Sequence, residues 1–227
     1  MSLTQRKARP IRRENKSLRD DRLFLIACDD TYAPHQYSGF FKLARIQVQV
    51  VPTVDGTSVA KYVLDRLREY EIEPHDESRL LLDTDHCTSG NHLAGFREAL
   101  QQAQQAGIQV ALSKPCFELW LLLHHLAETA VAALPNARAA EEALRNALGK
   151  YNKTKLDPSA FPLASVPTAC RRAESLDAMV PGGDIPAGNT SRVYKLWQAI
   201  AAKAHPTQLP EELRTLRVPV ENNLAAE

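Results

Sequence analysis

Nothing in this 227-residue sequence approaches the roughly 20 apolar residues needed to cross a bilayer. Leu119 to Leu123, a run of bulky apolar side chains, is far too short, so no membrane partner is expected. The four cysteines, Cys28, Cys87, Cys116 and Cys170, are scattered with no C-x-x-C pair. That excludes the usual zinc knuckle and a disulfide framework, and fits a reducing cytoplasm. There is no Gly-rich phosphate loop; Gly182-Gly183 follows no strand, which disfavours a nucleotide-binding or small-molecule phosphotransferase reading. Nor is there an excess of one charge, because 28 basic residues meet 27 acidic ones.

The distribution of charge is uneven. Residues 1–22 hold eight basic side chains against Glu14, Asp20 and Asp21. The stretch lacks the apolar core of a secretory signal. Residues 1–21 therefore read as a basic arm, able to follow a phosphate backbone or to serve as a solvated tail.

What is present is a rhythm. Leu23 to Cys28 is a continuous apolar run ending in Asp29-Asp30, and Ile46 to Val51 alternates apolar with polar. Leu80-Leu81-Leu82 runs into Asp83-Thr84-Asp85, and Ile108 to Leu112 is again apolar. Helical spacing separates these runs, starting at Tyr37, Val59 and Leu93. The pattern predicts an α/β domain over 22–125, with a mainly parallel four-stranded sheet covered by helices. A helical extension is expected over 126–204, with Asn189-Thr190-Ser191 capping its last helix. Pro181 to Gly188 reads as a flexible linker, and the tail over 205–227 as polar and without clear structure.

In an open α/β sheet, ligands sit at the C-terminal ends of the strands. Asp83 and Asp85 are delivered there. They point to opposite faces while the chain stays extended, but a turn after Asp83 lets both reach one hard cation. Otherwise Asp83 simply ends a strand and Asp85 caps a turn. Asp29 and Asp30 are either further ligands or a turn pair. Glu118 lies in an apolar helix, so it must be paired, protonated or functional. His124, six residues on, reads as a satisfied core histidine, and Trp120 and Trp197 as core. Lys153 and Lys155, in the basic loop 150–155, either face phosphate or are solvated.

Four pieces together resemble a known family. Ser113 to His124 (Ser-Lys-Pro-Cys-Phe-Glu-Leu-Trp-Leu-Leu-Leu-His) resembles the Ser-Asn-Pro-Cys-Phe-Glu-Leu-Trp signature of the RloB-like proteins. Leu80 to Asp85, Tyr151-Asn152-Lys153 and Asn189 to Val193 agree in order and rough spacing over about 22–203. The resemblance implies a Toprim-like domain in which one acidic residue after the first strand and a later Asp-x-Asp pair bind Mg²⁺ (or Mn²⁺). It further implies nuclease chemistry on DNA or RNA, an ATPase partner encoded nearby, and a role in anti-phage defence or abortive infection. On that reading Asp83, Asp85, Asp29 and Asp30 are metal ligands, Glu118 and Lys153 join Asp83 and Asp85 in catalysis, and a homo-oligomer is conceivable. The first loop departs from the family pattern Cys-Glu-Gly-Glu-Lys-Thr-Glu-Pro. Aligned on Pro34, its glutamates fall on Cys28, Asp30 and Ala33, and its lysine on Thr31. A catalytically degenerate regulatory subunit is therefore the alternative.

Overall fold

The computed structural model describes residues 21–53, 58–87 and 92–217. Residues 1–20 of the basic arm lie outside the described residues. In chain order the elements are β1 (Arg22–Cys28), α1 (Ala33–Gly39), β2 (Ile46–Val51), α2 (Ala60–Arg68), β3 (Glu77–Asp83), α3 (His92–Gln105) and β4 (Gln109–Lys114). There follow α4 (Phe117–Leu123), α5 (Glu128–Ala132), α6 (Ala137–Leu148), α7 (Val166–Met179), β5 (Thr190–Ser191) and α8 (Val193–Lys203). A 3-10 turn over Glu211–Leu216 comes last.

The strand order is β2-β1-β3-β4-β5. The first four strands are parallel, and β5 joins antiparallel through Ser113↔Ser191 and Lys114↔Thr190. The α/β class and the mainly parallel sheet between helices are as expected. The strand count is not: among the described residues there are five strands, because β4 would otherwise present an unpaired edge. Thr190 and Ser191 fill that edge instead of capping α8, and Ser191 Oγ meets Ser113 Oγ at 2.8 Å. Asn189 also turns away from α8, its amide donating to the carbonyls of Val131 and Leu134.

The continuous apolar runs are explained by burial on both faces. Leu23, Leu25 and Ala27 of β1 pack with Leu80 and Leu82 under α2 and α3. Phe24, Ile26 and Cys28 alternate to the other face, with Leu81, Trp120 and the apolar sides of α4, α7 and α8. That second cluster draws on residues from Phe24 to Leu216, so one core holds both halves of the chain. α4 is apolar all round because it is enclosed; every residue from Phe117 to Leu123 is buried.

The helical extension begins with α5 and α6, separated because Pro135 cannot continue a helix. Asn136 then caps α6 by accepting from Ala139 N–H, and Gly149 ends it at φ 70°. Two local expectations are corrected. The segment 181–188 is not a loose linker. The guanidinium of Arg192 donates to Gly183 O and Asp184 O at 2.9 and 2.7 Å, and Lys114 Nζ to Ala187 O at 2.6 Å. The tail past His205 is structured as far as Arg217, because Leu209, Leu213 and Leu216 are buried in the core.

Candidate functional site

β1 and β3 are adjacent and parallel, so their C-terminal carboxylates emerge side by side. Asp29 Oδ2 accepts from the backbone N–H of Asp83 at 2.9 Å, tying the two strand ends together. The turn after Asp83 is held from β4's side. Thr84 N–H and Asp85 N–H both donate to Pro115 O, each at 3.1 Å. The Pro-Cys-Phe-Glu block thus fixes the Asp85 loop through its backbone and, one turn later, supplies Glu118.

Asp29, Asp30, Asp83, Asp85, Glu118 and Lys153 all line one open cleft of about 520 Å³. Thr31, Tyr32, Thr53, Ser58 and His86 complete its near wall, and Arg138 and Glu141 of α6 its far wall. Six carboxylates thus face two permanent cations.

Asp30 and Glu118 sit at one end. Asp30 Oδ1 accepts from Tyr32 N–H (2.6 Å) and Ala33 N–H (3.2 Å), stabilising the start of α1. Its Oδ2 lies 2.6 Å from Lys153 Nζ, and Glu118 Oε1 lies 3.3 Å from the same ammonium. Tyr151 donates its hydroxyl to Glu118 Oε1 at 2.9 Å. Burial works against the Lys153 charge, but Glu118 and Asp30 outweigh it, and the ammonium is held charged well above its ordinary range.

Asp29, Asp83 and Asp85 sit at the other end, and all three titrate high. Burial, then the charges of Asp30 and Asp85, push Asp29 up to about 7. Burial, then Asp29 and Glu118, hold Asp83 well above the carboxylate range. Burial also raises Asp85, against the pull of His86, whose Nε2 is 3.4 Å from Asp85 Oδ2. Asp85 Oδ1 is buried without a hydrogen-bond partner. Among the described residues no three side chains of His, Cys, Asp and Glu already converge as a metal-ligand set. Carboxylate oxygens under mutual repulsion, one of them orphaned, nevertheless suit a hard cation that draws them together.

The thiols are not nucleophiles here. Burial, with Asp29 and Asp30 next, raises Cys28 far above its ordinary value, and burial with Asp29, Asp85 and Asp83 raises Cys87 to about 11. His124 is buried and held neutral, donating or accepting between Tyr37 Oη at 3.0 Å and Ser165 Oγ at 2.6 Å. Lys155 lines a separate groove with Lys150 and does not reach the cleft. Arg138 and Glu141 were not read as site residues. Their only sequence signal is a three-residue spacing, which puts them on one face of α6.

A family model described as RloB-like protein matches residues 24–200. The chain belongs to the RloB-like family. No curated protein and no solved structure gives a significant match. The blocks that carry the resemblance have distinct jobs in this RloB-like chain. Ser113 to His124 anchors the Asp85 loop and supplies Glu118, Tyr151 and Lys153 pair with Glu118, and Asn189 to Arg192 closes the sheet edge. No helix among the described residues is long and apolar enough to cross a membrane.

Proposed function

We propose that this RloB-like protein is a Toprim-type, metal-dependent nuclease, the effector of an anti-phage system acting with an ATPase partner. One observation carries the reading. Asp29, Asp83 and Asp85 are packed at the C-terminal edge of a parallel sheet with no lysine or arginine paired to them among the described residues, and all three are held toward protonation. A divalent cation relieves that repulsion, and Mg²⁺ or Mn²⁺ held there would activate water and stabilise a phosphoryl oxygen. The chain's own part is to position. Asp83 N–H fixes Asp29, Pro115 O fixes the Asp85 turn, and Lys153 presents a fixed positive charge to a phosphodiester.

Mg²⁺ should raise the melting temperature by mass action on the folded state. Asp83→Asn with Asp85→Asn should abolish both that rise and cleavage of labelled DNA and RNA, while circular dichroism stays unchanged. Cleavage by the double variant would overturn the assignment. A second reading, a catalytically degenerate regulatory subunit, is favoured by the altered first loop and by the lysine that already neutralises Asp30 and Glu118. Mg²⁺ binding without cleavage, even with the ATPase partner present, would select it.

A further inference from the structure

The cleft has a neighbour across the loop 150–155. Leu148, Lys150, Tyr151, Lys155, Leu156 and Phe161 line a groove of about 440 Å³. Tyr151 belongs to both sides: it lines the groove, and its hydroxyl donates to Glu118 Oε1 in the cleft at 2.9 Å. Lys153 lines the cleft and Lys155 the groove, so one loop divides the two.

Both walls of the groove are braced. The carbonyl of Lys153 accepts from Gln36 Nε2 at 3.0 Å, and Gln36 Oε1 accepts from Leu156 N–H at 2.9 Å. One α1 side chain thereby clamps both sides of the loop. Asn152 Oδ1 accepts from Thr154 N–H and Oγ1, and Lys155 N–H donates to Asn152 O, closing the turn. On the other wall, Asp157 Oδ1 accepts from Ser159 N–H at 3.0 Å and Ser159 Oγ at 2.7 Å, fixing the 3-10 turn over Pro158–Ala160. A groove held in this way loses little freedom when it is filled.

Its chemistry is an apolar floor beside unpaired cations. Leu156 and Phe161 are buried, whereas Lys150 and Lys155 are exposed. The other lysines of this half of the chain have partners: Lys114 on Ala187 O, Lys153 on Asp30 and Glu118, Lys195 on Asp177 and Lys203 on Glu77. The ammoniums of Lys150 and Lys155 make no hydrogen bond or ion pair among the described residues. The acid at the groove, Asp157, is engaged by Ser159 instead.

The geometry points to a nucleotide subsite: the groove takes the base next to the phosphodiester in the cleft, Lys150 and Lys155 take the flanking phosphate, and the substrate is a single strand. The volume suits a small planar group, and two free ammoniums beside an apolar floor match a base with its phosphate. Bases stacked inside a duplex cannot enter such a groove, whereas those of a single strand can be splayed out. This rests on the nuclease reading above for what lies in the cleft, and adds the class of substrate.

The test measures binding in a chelator, so that no cleavage is needed. Labelled oligo-dT and oligo-rU of about ten nucleotides, and a DNA duplex of the same length, are titrated with the full chain and followed by fluorescence anisotropy. Lys150→Gln with Lys155→Gln should weaken single-strand binding several-fold and reduce the slope of log affinity on log salt by about 1.4, for two phosphate contacts. Ala160→Trp, which fills the groove and keeps both lysines, should weaken the single strands and leave the duplex unchanged. If circular dichroism shows that it does not fold, Leu148→Trp takes its place. Unchanged single-strand binding in the lysine variant or in the groove-filling one overturns the inference. So does an equal loss for duplex and single strand on filling the groove, which would make the lysines a plain basic surface. Cleavage that depends on Asp83 and Asp85 would in those cases leave the nuclease reading standing. Conversely, the expected losses of binding, with no Mg²⁺-dependent cleavage by wild type, would keep the nucleotide subsite and remove the nuclease reading.

Discussion

Asp29→Asn should stabilise the metal-free protein at pH 8, although it removes a residue at the heart of the cleft. The carboxyl has an ordinary value of 3.8 and is pushed up to about 7 in the fold, by burial first and then by Asp30 and Asp85. Such a rise corresponds to roughly 4 kcal/mol against the ionised form at alkaline pH. Asp29 keeps some contact with solvent at the mouth of the cleft, which reduces the cost. The asparagine amide oxygen can still accept from Asp83 N–H, so little is lost in exchange. The expected gain is about 2–3 kcal/mol, or roughly 5–10 °C for a chain of this size. The sign follows from the proton balance. Below the unfolded value the acid is neutral in both states and carries no penalty. As pH rises toward about 7, only the unfolded chain ionises freely, and stability drains from wild type. The gain should therefore shrink to about a third by pH 5 and vanish below about pH 4. Urea melts of wild type and variant in a chelator, at pH 5 and pH 8, measure it as a difference in which groups outside the cleft cancel, while relief of Asp83, which the Asp29 charge also raises, adds in the same direction. Saturating Mg²⁺ should favour wild type and close the gap. A variant less stable than wild type at pH 8, or a gain independent of pH, would refute the reasoning.

Other consequences follow from burial and pairing. His124 is pushed down to about 3 by burial, then by His125 and Arg172, so its contribution is intact above its ordinary 6.5 and is lost as pH falls below that. In the Asp29→Asn background, stability should drop by about 1.4 kcal/mol per pH unit below 6.5, a slope that His124→Asn should flatten in acid melts. Arg192→Met leaves Asp177 without its guanidinium and frees Gly183 O and Asp184 O; a loss of about 3–5 kcal/mol is expected in urea titration. Trp120→Ala empties the middle of the larger core cluster, where the indole is fully buried, and should cost about 3–5 kcal/mol, read as a lowered melting temperature.

The central strands were legible because burial on both faces leaves an unbroken apolar run, as in Leu23 to Cys28 and Leu80 to Leu82. Their terminal aspartates were legible because a parallel sheet puts such ends on one edge. β3 nevertheless begins at Glu77, a stretch with no apolar signal that is a strand because it pairs with Phe24 and Leu25. β5 was invisible for a related reason: two residues have no period, and their identity as strand comes from Ser113 and Lys114 far away in sequence. Within the site, Asp29 and Asp30 looked equivalent as neighbours. The fold separates them, turning one to Asp83 and the other to Lys153. Lys153 and Lys155 likewise differ only through the Gln36 clamp, a contact between residues more than a hundred apart.

The late arrival of β5 bears on how the chain is made. Its partner in β4 is 78 residues earlier, measured between Ser113 and Ser191. At a synthesis rate of ~5–20 residues per second, β1 to β4 leave the ribosome several seconds before the strand and helix that cover them. During that interval the face bearing Phe24, Ile26 and Leu81 lacks Val193, Leu196 and Trp197, and β4 has an open edge. A nascent chain with an uncovered sheet face and a free parallel-strand edge is a substrate for chaperones and for self-association. The same delay means that the acidic cleft, whose strands come first, depends for its final setting on the last third of the chain.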